Sequence, residues 1–463
     1  MRLAIFVGLL FVGSIPAAEP TLKVGFQEVD VSPFVAPNKP VYMAGFGHDR
    51  KATEVHDPIM ARIVVLHDGK SKVALVCVDV VGLFLPFVDS IREKLPEYAY
   101  VMVSSSHNHE GPDTLGLWGA SPFQSGVDEA YMDLLRKKIV EGIQKAEAKL
   151  EKSTVKIGRV NLPDLLRDGR LPIVKHDELA VLEFRSSDTK KRLGLLVNWH
   201  CHPETLDSKN TKISSDFVGY AVEKLKKRWN CPVAYFTGTV GGLMTSLKVP
   251  LRDDQGTELQ DGTFEKTEKY GTTLAQETDK ALSRAEALEL TPFQLQRRKI
   301  LLPVDNPIYK AGWQLGVLKR PIYLWHENAN EKEPKLASDA KNPLAIQTEL
   351  GWLKLGELEI ATVPGEIYPE LVLGKIQDPV DPGADFPDAP KEVSIVELSK
   401  SKYRLLMGLA NDEIGYIIPK RQWDEKPPFC YGLKKSQYGE INSLGPDTAP
   451  LLMKGYSELI SGK

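Results

Sequence analysis

Two pairs of histidines stand where apolar segments of the sequence give way to polar ones. His107 and His109 follow one such segment, and His200 and His202 follow another. The chain has only nine histidines, so chance is a weak explanation for this clustering. Imidazole is the commonest metal ligand and general base, and residues two apart in an extended chain point to the same side. The first pair therefore predicts a metal or acid–base site, although scattered surface histidines would also explain an isolated HxH motif.

A carboxylate near another apolar segment would complete such a site. Zinc hydrolases use about three nitrogen or oxygen ligands from the protein and keep one position open for water. Asp79, Asp216 and Glu366 each lie near the end of a predicted strand. An acidic residue is by default a solvated surface group, but Glu366 directly follows a long apolar run and a Pro-Gly turn. Glu366 is therefore the favoured carboxylate ligand.

Alternating strands and helices must position these side chains. Short runs rich in Val, Ile, Leu and aromatic residues predict strands at 60–66, 72–78, 98–104, 179–184, 193–199, 232–236 and 353–363. Apolar residues at helical spacing predict helices at 128–148, 217–228 and 265–288. This alternation favours an α/β fold, a layered mixed sheet with flanking helices. Ligands of such sheets usually bind at the carboxyl ends of the strands.

The N-terminal sequence has the form of a secretory signal. Met1 and Arg2 precede an apolar run to Val12, and small residues follow up to Ala18. We therefore expect a signal peptide at residues 1–18 and a secreted or periplasmic mature protein; a buried first strand is the alternative. No other segment approaches the roughly 20 apolar residues of a membrane span, so no integral membrane span is expected.

Composition and cysteine usage exclude some classes of protein. The 463 residues include 59 Lys and Arg and 62 Asp and Glu. This near-neutral balance lacks the excess of basic charge expected of a nucleic-acid-binding protein or of a polybasic membrane patch. The chain has four cysteines, which are too few for a dense disulfide framework and lack the CxxC spacing of a metal site: Cys77, Cys201, Cys231 and Cys430. Cys77 and Cys201 lie in apolar runs and are expected in the core. An exported protein can hold one disulfide, but the sequence does not choose the pair.

Motifs spread from Val24 to Leu452 together resemble one family of enzymes. The most specific is Ser105-Ser106-His107-Asn108-His109-Glu110-Gly111-Pro112. The others are Asp30-Val31-Ser32-Pro33, Met43-Ala44-Gly45-Phe46, Ala61-Arg62, Asn198-Trp199 before His202-Pro203, Ser214-Ser215-Asp216-Phe217-Val218-Gly219-Tyr220, Val363-Pro364-Gly365-Glu366, and Asn411 to Tyr416. This set resembles the amino-terminal catalytic domain of the neutral/alkaline, non-lysosomal ceramidase family, whose histidine motif has the form (S/A)-T-H-T-H-S-G-P.

The resemblance implies a zinc site. It assigns His107, His202, Glu366 and Tyr416 as the ligands and places His109 beside the metal as a proton-transfer group. Two histidines, a carboxylate and a phenolate make the nitrogen and oxygen ligand set expected of zinc. The alternative for Tyr416 is a packed aromatic residue with a hydrogen-bonded hydroxyl.

Two further residues have open roles. Arg170, in an Asp-Gly-Arg sequence, is a candidate catalytic residue that would steady a substrate carbonyl or a tetrahedral oxyanion. A structural arginine is the alternative. His200 is expected to face away from His202 and to be structural.

The sequence departs from the family at the proposed nucleophile. Ceramidases carry a G-D-V-S-P stretch, and here residues 240–246 place Met244 at the serine position and Gly242 at the acidic one. A thioether cannot be deprotonated to attack a carbonyl. Thr245 or Ser246 would substitute only if the loop shifted register. Attack by a zinc-bound water is therefore expected.

The resemblance implies an exported zinc-dependent hydrolase of amide bonds, including N-acyl lipids of the ceramide type. A zinc esterase or lactonase acting on small carbonyl substrates is the second possibility, and a non-catalytic, secreted, metal-containing binding protein is the third. The expected partner is a small-molecule or lipid substrate, and the sequence does not give the oligomeric state. The separate sandwich domain that follows in many ceramidases is not expected, so residues 19–463 are assigned to one ceramidase-like catalytic domain.

Overall fold

The structure is a computed structural model that describes residues 21–462. The predicted signal peptide, residues 1–18, lies outside the described residues, and both it and the single catalytic domain stay predictions. Strands in the described part are β1 (Lys23–Asp30), β2 (Glu54–Val55), β3 (Met60–His67), β4 (Lys72–Val78), β5 (Tyr100–Ser105), β6 (Glu151–Asn161), β7 (Arg167–Asp168), β8 (Glu178–Ser186), β9 (Arg192–Trp199), β10 (Lys212–Ile213), β11 (Val233–Thr237), β12 (Met244–Thr245), β13 (Glu286–Leu288), β14 (Phe293–Val304), β15 (Tyr323–Leu324), β16 (Leu344–Leu355), β17 (Leu358–Thr362), β18 (Glu366–Ile367), β19 (Tyr403–Met407) and β20 (Tyr416–Ile417).

The helices cover the faces of the sheets. They are α1 (Leu85–Arg92), α2 (Glu129–Glu147), α3 (Asp216–Trp229), α4 (Phe264–Ser283), α5 (Pro307–Gln314), α6 (Pro369–Leu373), α7 (Ile395–Leu398) and α8 (Thr448–Ser461). Helix α2 illustrates how the local sequence determines where a helix begins and which face it buries. The side chain of Asp128 caps its first turn by accepting from the Ala130 amide, and Leu135, Ile139 and Ile143 form a buried stripe at helical spacing.

A nine-stranded mixed sheet forms the larger layer. Its strands follow the order β11-β9-β8-β6-β1-β3-β4-β5, and β13 also pairs with β6. The pairs β4–β5 and β9–β11 are parallel, and the other pairs are antiparallel. The strands that precede the two histidine pairs, β5 and β9, therefore lie at or beside opposite edges of this sheet.

The two edges of the large sheet curl toward each other. The hydroxyl of Thr237, at the end of β11, donates to the carbonyl of Ser106, just beyond β5, at 2.7 Å. Strands that are far apart in the sheet order therefore end at the same place. This curvature brings the segments that carry His107 and His202 together.

A second, five-stranded sheet packs against the first. Its order is β14-β16-β17-β19, with β15 paired to β16. Buried side chains of both sheets, among them Phe26 and Met102 from the large sheet and Leu353 and Leu405 from the small one, form a shared core. Helices α1 to α4 cover the outer face of the large sheet, and α8 covers that of the small sheet. The predicted α/β class, a layered mixed sheet with flanking helices, is confirmed.

Two predicted elements are each divided in the structure. Residues 353–363 form the end of β16 and the whole of β17, because Gly356 turns the chain with a φ of 52°. The predicted helix 265–288 ends at Ser283, and β13 then pairs antiparallel with β6. In both cases apolar residues continue across the turn, so the pattern alone does not show where one element ends.

The cysteines are buried and unpaired. Cys77 lies in the core between the sheets and Cys201 in the core under α3 and α4, as expected. All four cysteines are free thiols. Within residues 21–462, no helix combines the length and the apolar character that crossing a membrane requires.

Candidate metal centre and its cavity

The first histidine pair lies on a turn, not on an extended strand. β5 ends at Ser105, and His107 adopts a left-handed backbone conformation with a φ of 65°. The prediction that both rings project from one extended segment is therefore wrong. The side-chain amide of Asn108 holds the turn by donating to the Ser214 carbonyl at 2.7 Å. The rings of His107 and His109 nevertheless approach each other, with centroids 5.0 Å apart.

The second histidine of the site is held by a single backbone carbonyl. The amide nitrogen of His202 donates to the Met244 carbonyl at 2.9 Å, and its Nδ1 lies 2.8 Å from the same oxygen. The centroid of the His202 ring is 4.7 Å from that of His107 and 5.6 Å from that of His109. The three imidazoles thus form one buried cluster, with a ligand nitrogen of each ring within 4.8 Å of the others.

Glu366 and Tyr416 reach the same cluster from a small two-stranded ladder. β18 and β20 pair in parallel, with Glu366 directly opposite Tyr416. The segments that lead into β18 and β20 approach each other so closely that residue 365 must be a glycine, since a Cβ there would lie 2.6 Å from the Gly415 carbonyl oxygen. Glu366 Oε2 lies 3.0 Å from His202 Nε2 and 3.4 Å from His107 Nε2, and Tyr416 lines the same cavity as Glu366.

The donor arrangement fits a bound cation. Nδ1 of His107 lies 2.7 Å from the Val81 carbonyl, and Nδ1 of His202 has its own carbonyl partner, so both protons belong on Nδ1. The Nε2 atoms of both rings point at one oxygen of Glu366, and in the neutral form each ring would offer a lone pair to a metal there. A cation or a proton between these atoms offsets the repulsion among them. Backbone carbonyls that fix the far nitrogen are also the usual outer support of metal-bound histidines.

Burial and neighbouring groups shift the pKa of several side chains in the cluster. Burial and the neighbouring rings of His107 and His202 lower the pKa of His109 well below its ordinary value. Burial and the charge of Glu366 raise the pKa of the Tyr416 phenol. Burial acts to raise the pKa of Glu366, but its contacts with His107 and His202 outweigh this and lower it. A tyrosine in this position would ionise only beside a cation.

Glu204 is a site residue that the sequence reasoning did not select. Its carboxylate is buried, and Oε2 lies 3.5 Å from His109 Nδ1. The hydroxyl of Thr245 donates to its other oxygen. The contact between His109 and Glu204 is longer than a good hydrogen bond, and it places the Nδ1 edge of His109 beside the Glu204 carboxylate. Its position directly after His202-Pro203 was the available signal.

The segment at the family's serine position carries no free nucleophile. The Met244 side chain is fully buried in the core under α3 and α4. Thr245 is bonded to Glu204, and the Ser246 hydroxyl contacts the Thr205 hydroxyl at 2.9 Å and donates to the His202 carbonyl at 3.3 Å. The hydroxyls of Thr245 and Ser246 therefore act as structural hydrogen-bond partners in this arrangement.

The remaining carboxylates considered from the sequence serve the fold. Asp79 pairs with Arg62 at 2.6 Å and accepts from the Ser215 hydroxyl at 2.8 Å. Asp216, the first residue of α3, accepts from the backbone amides of Leu206 and Phe217. Both are satisfied within the protein and lie outside the histidine cluster, which leaves Glu366 as the carboxylate that meets it.

Arg170 lies apart from the histidine cluster. Its two Nη atoms form a bidentate pair with Glu440 at 2.7 and 2.8 Å. They also donate to the carbonyls of Tyr438 and Gln422, each at 3.0 Å. Both Nη atoms of Arg170 are thus engaged within the protein, and we assign this residue no catalytic role. Instead it fixes the segment carrying Tyr438, whose ring lies 5.7 Å from that of Tyr416.

An apolar cavity of about 300 Å³ opens onto the cluster. His107, His109, Glu366 and Tyr416 form its polar end. Its other walls include Phe84, Leu115, Trp118, Val304, Trp313, Leu318, Ile322, Leu344 and Ile346. Small-molecule sites are typically cavities of this kind, apolar with a few convergent polar groups.

A buried carboxyl beyond the ladder should make stability depend on pH. Glu370 is buried in α6, and burial raises its pKa from 4.5 to about 8. The folded chain keeps this proton where the unfolded chain loses it, so the free energy of unfolding should fall by about 1.4 kcal/mol per pH unit between about pH 5 and about pH 8. Glu370→Gln should remove this contribution. Denaturant unfolding across that range would show it, and an identical pH slope in the variant would contradict the assignment.

The fold is similar to that of neutral ceramidases of known structure. The crystal structure of neutral ceramidase from Pseudomonas aeruginosa matches with a TM-score of 0.70 and 16% sequence identity, over 95% of this chain and 74% of that one. A ceramidase complexed with C2 matches with a TM-score of 0.69 and 15% identity, over 95% and 75%. No protein-family model and no curated protein matches the sequence. The ceramidase-like fold that the motifs implied is confirmed.

Proposed function

We propose that this protein is an exported, zinc-dependent hydrolase of amide bonds that acts on N-acyl lipids of the ceramide type. The observation that carries the proposal is the position of the buried cluster. Three imidazoles and the Glu366 carboxylate converge beside a cavity that His107, His109 and Glu366 line at one end. Its other walls are mostly apolar, with Lys310, Arg320 and Glu413 also in the lining. An acyl chain fits such walls, and its amide carbonyl would then lie at the cluster. The ceramidase-like fold supports the same substrate class.

Under this proposal His107, His202, Glu366 and Tyr416 hold the metal. Zinc, when bound, supplies a Lewis acid that polarises a carbonyl and makes water acidic near neutral pH. The protein's own contribution is rigidity. Backbone carbonyls fix the two imidazoles, and the β18–β20 ladder fixes the carboxylate and the phenol. Such fixed ligands need little reorganisation during the reaction.

His109 is the group proposed to move the proton. Amide hydrolysis breaks the C–N bond, forms a C–O bond from water and requires a proton on the leaving nitrogen. His109 lines the cavity, and its lowered pKa keeps the ring neutral. The ring can therefore accept a proton from the attacking water and pass it to the leaving nitrogen. Glu204 is the positioning residue, because its negative charge would stabilise the ring while it carries the proton. Water is the proposed nucleophile, because Met244 has no group that can attack.

The export proposal rests on the N-terminal sequence. Residues 1–18 combine a basic start, an apolar run and small residues. Under this proposal the mature chain begins near residue 18 and meets its substrate outside the cytoplasm.

Turnover of matched substrates tests the function. The chain is stripped of metal with a chelator, reloaded with zinc and assayed with a long-chain N-acyl amide and the ester of the same acyl group. We expect zinc-dependent release of the amine, with about one zinc bound per chain. Ester cleavage without amide cleavage would favour the esterase or lactonase. Zinc binding without turnover of either would favour a binding protein, and failure to bind zinc would refute the metal centre.

A further inference from the structure

A second pair of histidines lies apart from the metal cluster. His176 and His200 are stacked, with ring centroids 3.6 Å apart and planes inclined by 14°. One residue holds both Nδ1 atoms: the Thr239 amide donates to His200 Nδ1 at 2.9 Å, and the Thr239 hydroxyl lies 2.8 Å from His176 Nδ1. Gly238 makes room for the stack, since a Cβ there would lie 2.1 Å from His200 Nδ1. Both Nδ1 atoms therefore contact Thr239, which leaves the Nε2 atom of each ring without a contact to that residue.

The hydrogen bonds define where the protons lie. A backbone amide only donates, so Nδ1 of His200 is bare and its proton is on Nε2. The Thr239 hydroxyl has no other hydrogen-bond partner among the described residues, so we assign it as the donor to His176, which gives that ring the same tautomer. Burial and the charges of Lys375 and Arg404 lower the pKa of His176 to about 3. Both rings are neutral and each presents one Nε2–H.

Those donors have no protein partner in the described part of the chain. His200 is 2% exposed and His176 is half-buried, and both rings line a cavity of about 210 Å³ with only their Nδ1 atoms hydrogen-bonded. Unpartnered donors that open onto a cavity normally meet water or a ligand.

The charges around this cavity favour an anion. Lys375 and Arg404 both line it, and Lys375 has no ion pair among the described residues. Lys175 is a third basic residue of the lining, and the acidic ones are Asp177 and Glu178. Glu178 also lies 3.7 Å from Arg159. Basic side chains therefore outnumber acidic ones around this cavity.

We propose that this cavity is a binding site for a small oxyanion, either a carboxylate or an inorganic phosphate. Two oxygens of the anion accept from Nε2 of His176 and His200, in the way that a fork of parallel N–H groups binds carboxylate or phosphate. Lys375 and Arg404 supply the balancing charge. The site joins His200, two residues before His202, to α6, which begins three residues after Glu366. It is independent of the proposed activity.

Histidine-selective ¹⁵N NMR of the full chain tests the site directly. Sodium acetate and sodium phosphate are titrated separately, with ionic strength held constant by sodium chloride. We expect a saturable shift of the Nε2 resonances of His176 and His200 with at least one of them, and the two titrations show which anion is preferred. Lys375→Gln should weaken the apparent affinity about tenfold.

Lys354→Gln is the matched control, since Lys354 is an exposed lysine that does not line the cavity. It should bind like the unaltered chain. The absence of a saturable shift with both anions would overturn the proposal. Equal affinities of the Lys375→Gln and Lys354→Gln variants would overturn it as well.

Discussion

Glu366→Gln is expected to lower kcat/KM for an N-acyl amide about a thousandfold, with zinc affinity falling at least about a hundredfold. His107 and His202 both direct Nε2 at Glu366 Oε2, at 3.4 and 3.0 Å. Glutamine preserves the shape of the side chain but removes the negative charge that balances a cation. Metal analysis after dialysis, together with steady-state kinetics on the same preparation, measures both effects.

Glu370→Gln is the matched control for this substitution. Glu370 is also buried, four residues further along the chain, but it lies outside the histidine cluster and its raised pKa leaves it largely protonated at neutral pH. Its replacement should leave zinc content and turnover near those of the unaltered chain. If Glu366→Gln kept full zinc and full activity, Glu366 would not be a ligand. If both variants lost activity equally, the loss would reflect the surrounding structure.

Leu318→Trp is expected to shorten the acyl chains that the enzyme accepts. Leu318 is buried in the wall of the apolar cavity, so an indole there would occupy space proposed for the chain. Each buried methylene contributes about 0.8 kcal/mol, so excluding about three of them should lower kcat/KM for a long-chain substrate about fiftyfold. The acetyl analogue should be cleaved at nearly the unaltered rate. A series of N-acyl chain lengths measures this.

Leu315→Trp provides the comparison for Leu318→Trp. Leu315 lies three residues earlier, is 55% exposed and does not line the cavity. It should leave the chain-length profile unchanged. A parallel loss for long and short substrates in Leu318→Trp, with an unchanged melting temperature, would show that the cavity does not hold the acyl chain.

The sequence predicted the local parts of this structure well. Strand β4 has the bounds predicted from its apolar run, and α2 begins where Asp128 supplies a cap. These features depend on residues that are close together in the chain, so a short stretch of sequence is enough to predict them. The histidine motifs were visible for the same reason, because each stands directly after a strand.

The convergence of the site is a long-range property. His107 and His202 meet because the edges of the large sheet curl together, through contacts such as Thr237 to Ser106. Nothing in either motif encodes that curvature. Glu204 was missed for a related reason. From the sequence, an acidic residue after a histidine is expected to be a solvated surface group, and only the packed structure shows its contact with His109. The boundary between β16 and β17 was missed because apolar residues continue across it.

The anchoring of His202 by a main-chain carbonyl has an evolutionary consequence. Every residue type offers that oxygen, so position 244 can change its side chain without releasing the imidazole it orients. The Met244 side chain packs in the core under α3 and α4, so a substitution there would repack that core while the anchor of His202 is kept. The histidine and carboxylate ligands can therefore be retained while the side chain at position 244 diverges.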